Sequence, residues 1–238
     1  MDAGVYRQLF ELEDTHWWFA GRRRVVAKLL ESIALPPHPV ILDAGCGTGR
    51  NLLELQELGE ATGIDPAPEA VELCRERGLS VTEAPADSIP LPDDSFDLAV
   101  MLDVLEHIED EQEALDEIGR VTRPGGAMLI TVPAYEFLWS SHDESHHHFR
   151  RYTRRRLLDS LRAGGWRAER LTFFNSTLLA PIAAVRKLGV GKGSSDYEMT
   201  SPRVGRVLEG IMGAEAAAIG RGANLPAGVS IAAVCRPA

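Results

Sequence analysis

A glycine-rich segment at residues 43–49 is the part of the chain best suited to hold a ligand. It follows three apolar residues, 40–42, that form a predicted buried strand, and it precedes a predicted helix. Glycines at Gly45, Gly47 and Gly49 allow a tight turn and a close approach of the backbone to a ligand. The spacing is G-x-G-x-G rather than the G-x-G-x-x-G of dinucleotide sites, and Asp43 would repel a pyrophosphate. The segment therefore favours a cofactor with an ammonium or sulfonium group over a dinucleotide.

Acidic side chains follow the next two predicted strands. Asp65 lies twenty residues after Gly45, at a strand end where a carboxylate can accept both hydroxyls of a ribose. Asp87 and Ser88 follow the third strand and are candidates to approach an adenine amino group. The alternative for all three is an ordinary role at a strand end or in a turn, where Asp and Ser are common.

Candidate proton acceptors lie beyond the fourth and fifth predicted strands. Asp103 ends the fourth strand and His107 follows it, while His142 and His148 lie in the loop after the fifth. Histidine titrates near neutral pH, which suits a general base. For His107, a packing or capping role at a helix start is an open alternative.

The run of histidines and acids at residues 142–148 also raises the question of a metal site, because both residue types are competent ligands. Loop clusters of this kind are commonly solvated. We therefore expect no metal here, and we expect His146 and His147 to face solvent.

Three further features of the sequence have two interpretations each. The arginines between residues 150 and 156 could bind an anionic substrate group or face water. The aromatic residues 17–19 could form a lid or pack in the core, and the apolar segments 178–182 and 211–212 could line a pocket or form ordinary helix faces.

Strands that alternate with helices predict an α/β fold with a doubly wound, seven-stranded, mostly parallel sheet. The predicted strands are 40–42, 61–65, 79–84, 96–102, 127–132, 166–174 and 228–235. The predicted helices are 51–58, 68–77, 111–121, 153–163, 177–189 and 202–219, with a polar loop at 135–152 and a glycine-rich loop at 189–195. We expect one domain over residues 1–238, with a helical lead-in or lid (1–37), a core (38–175), a helical cap (176–224) and a last strand (225–238).

The composition narrows the function classes. The chain has 238 residues, 45% of them hydrophobic, which is typical of one globular α/β domain. A net charge of -10 argues against a general nucleic-acid binder. The absence of a long apolar run and of a basic leader predicts no transmembrane segment and no secretory signal. Three widely spaced cysteines predict neither a disulfide framework nor a zinc cluster, and a cytoplasmic location is expected.

Several of these motifs occur in order at the right spacing, and together the chain resembles the class I S-adenosylmethionine (SAM) dependent methyltransferases. It is most similar to the type 11 group and the ubiquinone-biosynthesis O-methyltransferases. The segments that carry the likeness are residues 40–49, 63–65, 96–98, 103–107 and 123–126. A bacterial subgroup with an N-terminal His-Trp-Trp-Phe segment is suggested by residues 16–24, 138–143, 148–152 and 225–230.

The resemblance implies a Rossmann-like methyltransferase fold with SAM as cofactor. An arginine of residues 22–24 would meet the methionine carboxylate, with Arg23 and Arg24 favoured, and Leu102 would lie near the sulfur. The implied cofactor positions are Arg23, Arg24, Asp43, Gly45, Gly47, Gly49, Asp65, Asp87, Ser88 and Leu102.

The function expected from the sequence is methyl transfer to a small molecule, at oxygen, with a histidine as general base. The acceptor would be anionic or partly hydrophobic, and no nucleic-acid partner is expected. Nitrogen or carbon as the methylated atom, and a SAM-binding protein without transfer activity, are the alternatives. The oligomeric state is open.

Overall fold

A computed structural model describes residues 3–188 and 201–238, and its centre is one seven-stranded sheet. The strand order is β3-β2-β1-β4-β5-β7-β6; β7 runs antiparallel to both of its neighbours, and the other pairs are parallel. The strands are β1 (Val40–Ala44), β2 (Glu60–Asp65), β3 (Val81–Glu83), β4 (Phe96–Leu102), β5 (Thr122–Pro133), β6 (Trp166–Phe174) and β7 (Ser230–Pro237). The predicted seven-stranded, mostly parallel sheet is confirmed.

Helices connect the strands and precede the first one. They are α1 (Ala3–Leu12), α2 (Trp17–Leu30), α3 (Arg50–Gln56), α4 (Pro68–Glu76), α5 (Glu111–Val121), α6 (Ser141–Ser145), α7 (Arg154–Ala163), α8 (Leu179–Leu188) and α9 (Pro202–Gly220). Two 3-10 turns, Leu105–His107 and Glu136–Leu138, follow β4 and β5. Within the described residues, no helix is long and apolar enough to cross a membrane.

Both faces of the sheet are covered by apolar helix surfaces. On one face, buried residues of α5 and α7 such as Leu115 and Leu161 join a cluster with Met128 and Trp166. On the other face, α2 and α9 pack together against strand residues. Because both faces are buried, β4 is apolar along most of its length, as expected for a central strand.

The structure differs from the sequence prediction at several boundaries. β5 begins at Thr122, directly after α5, so residues 124–126 lie within the strand instead of preceding it. The expected loop at 135–152 contains α6, whose N-terminus is closed by a capping box between Ser140 and Asp143. α9 contributes Ala216 and Ile219 to the core, so it covers the sheet face. The predicted glycine-rich loop at 189–195 lies outside the described residues.

Candidate active site

One cavity of about 1300 Å³ opens at the carboxyl ends of the parallel strands. It begins at the glycine-rich segment after β1 and extends past the ends of β2 and β4 to the histidines beyond β5. Ligand pockets commonly measure about 300–1,000 Å³. The cavity therefore has room for a cofactor and an acceptor together, at the edge of the sheet where α/β proteins bind ligands.

The three glycines of the segment have different structural roles. Each has a positive φ, +77° at Gly45, +54° at Gly47 and +82° at Gly49, which a residue with a side chain adopts only with strain. Gly45 and Gly47 line the cavity, and a Cβ at Gly47 would meet nothing within 4 Å. Gly49 does not line it; a Cβ there would stand 2.5 Å from the side chain of Leu79. The third glycine thus serves packing behind the loop.

Asp65 lies at the end of β2 and lines the cavity beside the glycine segment. Its Oδ2 accepts a hydrogen bond from the Gly47 amide at 2.9 Å, and its Oδ1 accepts one from the Ala67 amide at 3.0 Å. Burial raises the pKa of this carboxyl, and the two backbone amides oppose that rise. The backbone therefore orients the carboxylate while leaving it lone pairs for a ligand.

Asp43 and Ser88 lie behind the cavity wall, whereas Asp87 lines it. Asp43 is 1% exposed, and among the described residues its Oδ2 has no hydrogen-bond partner. Burial raises the pKa of Asp43 to about 7, despite the opposing charge of Arg22.

The three consecutive arginines point to three different places. Arg22 forms an ion pair of 2.6 Å with Asp103 and donates to the Leu102 carbonyl at 3.2 Å. Arg23 also lines the cavity and pairs with Glu54 at 3.1 Å. The expectation that favoured Arg24 needs correction, because its guanidinium does not line the cavity and is paired with Glu209 of α9.

Asp103 is held in place rather than left open for proton transfer. It adopts a positive φ of +58° at the end of β4. Its Oδ2 is paired with Arg22, and its Oδ1 accepts a hydrogen bond from the Thr131 hydroxyl at 2.9 Å. Both carboxylate oxygens are therefore already engaged, so the geometry supports a role in positioning Arg22 over the expected catalytic role. Leu102 lines the cavity directly before it.

All three histidines expected to act as bases, together with His146, line the opposite end of the cavity. The rings of His107 and His148 meet edge to face with centroids 4.5 Å apart, and those of His142 and His146 lie 3.9 Å apart. A hydrogen bond of 2.8 Å from the Phe149 amide to the Glu106 carbonyl ties the two segments together. The tertiary fold thus gathers residues that are about forty positions apart in the chain.

Burial keeps several of these imidazoles neutral. It lowers the pKa of His107 to about 3, aided by the neighbouring rings of His148 and His146. Burial and the adjacent imidazoles also lower the pKa of His142. His146 is 7% exposed with a lowered pKa, so the expectation that it faces solvent was wrong.

His148 differs from the other histidines because a buried ion pair orients its ring. Its Nδ1 lies 2.9 Å from Oδ1 of Asp143, which is itself bound by two nitrogens of Arg151 at 2.7 and 2.9 Å. Burial would raise the pKa of Asp143, but the hydrogen bonds from His148 and Arg151 hold it well below the usual range. The anionic Asp143 therefore favours the tautomer that carries a proton on Nδ1, with Nε2 as the acceptor.

This arrangement also changes the interpretation of the arginine-rich segment. Arg151 is 4% exposed and engaged by Asp143, and Arg150 pairs with Glu111 at 3.2 Å. Neither has the exposed, uncompensated charge that the anion-binding interpretation required. Arg155 is 93% exposed at the start of α7.

Aromatic and aliphatic side chains cover the cavity between its two ends. Residues 17–19 of α2 line it, as do Leu178, Pro181, Ile182 and Val185 around α8. Met212 does not; its side chain packs into the space left by Gly21. The lid interpretation of the aromatic segment and the pocket interpretation of residues 178–182 are thus compatible with the geometry.

Sequence analysis assigned no role to two residues that line the cavity. Glu106 was part of a motif but had no assigned role, and it is fully buried against the histidines. Glu13 accepts hydrogen bonds from the Thr48 hydroxyl and from Arg77 at 2.5 Å, which fastens the segment after α1 to the glycine loop. No local pattern marks Glu13, because its partners are brought to it by the fold.

The comparisons with known proteins agree with this geometry. Residues 42–130 match the model of a family described as a methyltransferase domain. Residues 42–130 of the chain are thus similar to a methyltransferase domain. The fold of this domain is shared by the Burkholderia thailandensis 1,6-didemethyltoxoflavin-N1-methyltransferase, solved with bound S-adenosylhomocysteine. That structure has a TM-score of 0.55 and 18% identity, and the match covers 92% of this chain and 78% of that one.

Curated relatives match over about half of this chain. The tRNA (carboxymethyluridine(34)-5-O)-methyltransferase of Arabidopsis thaliana is 40% identical over 47% of this chain and 28% of its own. The malonyl-[acyl-carrier protein] O-methyltransferase of Serratia marcescens is 36% identical over 48% of this chain and 46% of its own. This chain thus spans less than half the length of these relatives, and they differ in the acceptors that their names give.

The residues that line the cavity fit SAM. Its sulfonium and ammonium charges suit an end of the cavity that carries Asp65 and has Asp43 buried behind it. Its carboxylate suits the guanidinium groups of Arg22 and Arg23. The open side of Gly47 leaves space against the backbone for a closely bound ligand.

Proposed function

We propose that this protein transfers the methyl group of SAM to a hydroxyl oxygen of a small molecule. The observation that carries the proposal is the continuous cavity, which joins the glycine segment at one end to an oriented histidine at the other. Since the volume of about 1300 Å³ exceeds that of common single-ligand pockets, a cofactor and an acceptor can be bound side by side.

In this proposal, the residues after β1, β2 and β4 bind the cofactor. Gly45 and Gly47 contact it through the backbone, and Asp65 accepts the ribose hydroxyls. Asp87, which lines the cavity, approaches the adenine, and Leu102 lies near the sulfur. Arg22 or Arg23 pairs with the methionine carboxylate, whereas Asp43, Gly49, Ser88 and Arg24 do not line the cavity.

The bound cofactor supplies an electrophilic methyl group on a good leaving group, so transfer is an in-line displacement. What the chain adds is alignment of the acceptor and removal of its proton. We assign proton removal to Nε2 of His148, whose Nδ1 is held by Asp143 at 2.9 Å. His107 and His142, whose pKa values are lowered by burial, shape the acceptor pocket.

We propose that the acceptor molecule has a hydroxyl group on an otherwise apolar framework. The hydroxyl would face the histidines, and the body would lie against residues 17–19 and the apolar side chains around α8. The net charge of -10 and the engagement of Arg150 and Arg151 by acids disfavour a nucleic-acid acceptor. The tRNA-modifying relative makes RNA the macromolecular acceptor to test. Transfer to nitrogen or carbon, or SAM binding without transfer, are the competing functions.

The experiment is incubation of the purified protein with methyl-labelled SAM and an extract of the source organism. Organic, aqueous, RNA and acid-precipitated protein fractions are counted separately. Label in an organic or aqueous small-molecule fraction is expected, and the ¹³C chemical shift of the transferred methyl group in the product distinguishes attachment to oxygen, nitrogen or carbon. Label confined to RNA or protein, or binding of SAM with no labelled product, would overturn the proposal.

A matched pair of histidine variants tests the assigned base. His148→Ala is expected to slow transfer about a hundredfold or more while leaving the Kd for SAM unchanged, since general-base catalysis contributes about 10²–10⁴-fold. The control is His38→Asn, which removes an exposed imidazole outside the cavity at a positive φ that Asn tolerates. Wild-type turnover in His148→Ala would remove this histidine from the mechanism.

A further inference from the structure

Glu106 is an unusual group for the interior of a protein. It is 0% exposed, lines the cavity, and neither of its carboxylate oxygens has a hydrogen-bond partner among the residues that the structure describes. A buried carboxylate without a partner is costly, and such groups are normally paired or coordinate a metal. The two opposite charges that act on it, Arg22 and Arg151, are already paired with other carboxylates, Asp103 and Asp143, and Asp103 is itself a like charge.

Two imidazoles face this carboxylate. One donor atom each from Glu106, His107 and His148 lies within 4.8 Å of the other two. Two histidines and one carboxylate form a common ligand set for zinc, and for iron when positions are left open for substrate. The residues come from two segments that the Phe149–Glu106 backbone hydrogen bond holds together.

The hydrogen bonds around the cluster match those that orient metal ligands. Ligating histidines almost always donate their second ring nitrogen to a carboxylate or a carbonyl. Nδ1 of His148 is hydrogen-bonded to Asp143 at 2.9 Å. His146 repeats the pattern, with Nδ1 at 2.8 Å from the His142 carbonyl and a buried Nε2 that has no partner in the described part of the chain.

We propose that Glu106, His107 and His148 bind one divalent transition-metal ion at the acceptor end of the cavity. The imidazole nitrogens select a borderline cation such as Zn²⁺, Co²⁺ or Fe²⁺ over Mg²⁺ and Ca²⁺, which prefer oxygen ligands. All three residues line the cavity, so an ion that they bind would be within reach of an acceptor. The sequence pattern favoured a site without metal, and the cluster emerges only when residues 106–107 and 148 are brought together by the fold.

The consequence for methyl transfer rests on the proposed function, whereas metal binding itself does not. With an ion on its Nε2, His148 is a ligand and no longer the base. The ion then lowers the pKa of the acceptor hydroxyl. The O–H proton passes to water, and the oxygen forms its bond to the methyl carbon as the C–S bond of SAM breaks. His148 is required by either route, and dependence on the ion separates them.

The test uses Co²⁺ as a spectroscopic probe of the full chain. Protein stripped with EDTA and dialysed is titrated with Co²⁺, whose visible absorption reports nitrogen ligation and low coordination number, and Zn²⁺ is then added as a competitor. We expect one Co²⁺ per chain, displaced by one Zn²⁺. Glu106→Gln and His148→Ala should each weaken Co²⁺ binding at least tenfold, and His38→Asn should bind as the wild type does.

Glu106→Gln keeps this test decisive even if other variants fold poorly, because glutamine is isosteric with the buried side chain that it replaces. Its circular dichroism should match that of the wild type. No saturable Co²⁺ spectrum in the wild type, or equal binding by wild type and Glu106→Gln, would overturn the metal site.

Parallel methyl-transfer assays separate the two proposals. Methyl transfer by a protein that binds no Co²⁺ or Zn²⁺ would refute the proposed metal site and support the proposed function. Stoichiometric binding of Co²⁺ or Zn²⁺ by a protein that transfers no methyl group would support the metal site and refute the proposed function.

Discussion

Replacing Asp43 by Asn should stabilise the protein, and increasingly so as the pH rises. Asp43 is 1% exposed with one oxygen that lacks a partner among the described residues, and burial raises its pKa from the ordinary 3.8 to about 7. Each pKa unit corresponds to about 1.4 kcal/mol. Keeping Asp43 ionised in the folded protein above pH 7 therefore costs roughly 4 kcal/mol of unfolding free energy.

The sign follows from proton binding. Between pH 3.8 and 7 the folded protein holds a proton on Asp43 that the unfolded chain has lost, so stability falls as pH rises through this window and levels off above it. The Asn variant has no proton to lose. The difference in unfolding free energy between Asp43→Asn and the wild type should thus grow by about 2–3 kcal/mol from pH 5 to pH 8.

The assay is equilibrium unfolding in urea at pH 5, 6, 7 and 8, without SAM and with EDTA present. Asp97→Asn is the matched control, because hydrogen bonds from the Val40 amide at 2.9 Å and from Arg123 at 2.8 Å help to lower the pKa of Asp97 against the effect of burial. That variant should be less stable than the wild type by an amount that does not change over the same pH range. A flat difference for Asp43→Asn would refute the reasoning about its burial.

Three other outcomes are expected. Asp65→Ala should weaken SAM binding at least about tenfold by calorimetric titration, a loss of about 1.4 kcal/mol, and an unchanged Kd would remove it from the ribose site. Arg22→Ala should weaken SAM binding by a similar factor while Arg24→Ala leaves it unchanged; equal effects would contradict the placement of Arg24 outside the cavity. Trp166→Ala should lower the free energy of unfolding by about 3–5 kcal/mol, because the ring is 1% exposed and donates to the Leu115 carbonyl at 3.1 Å; a loss under about 1 kcal/mol in urea would contradict its core role.

The order of strands and helices was largely predictable, because each depends on local pattern. The predicted bounds of β4, α5 and β6 agree with the structure. An apolar run predicts a strand buried on both faces, and apolar residues at helical spacing predict α5. The glycine segment was also recognised, since its residue types and spacing are contiguous in the chain.

The strand ends that were predicted wrongly are those that depend on pairing with a neighbouring strand. β3 is only Val81–Glu83 because it pairs with β2 over three residues, and β5 extends back to Thr122 because that residue pairs with Phe96. Register and strand length depend on the neighbouring strand. No window of the sequence contains that information.

The sequence by itself determined the sheet, the cofactor class and the acids that follow the strands, because these are written in short contiguous motifs. Only the tertiary structure decided which arginine meets Asp103 and that Asp143 and Arg151 orient His148. It also placed Glu106 beside two imidazoles with no hydrogen-bond partner among the described residues. Each of these depends on burial and on contacts between distant segments. The charge state and role of a buried side chain are set by the groups that surround it in space.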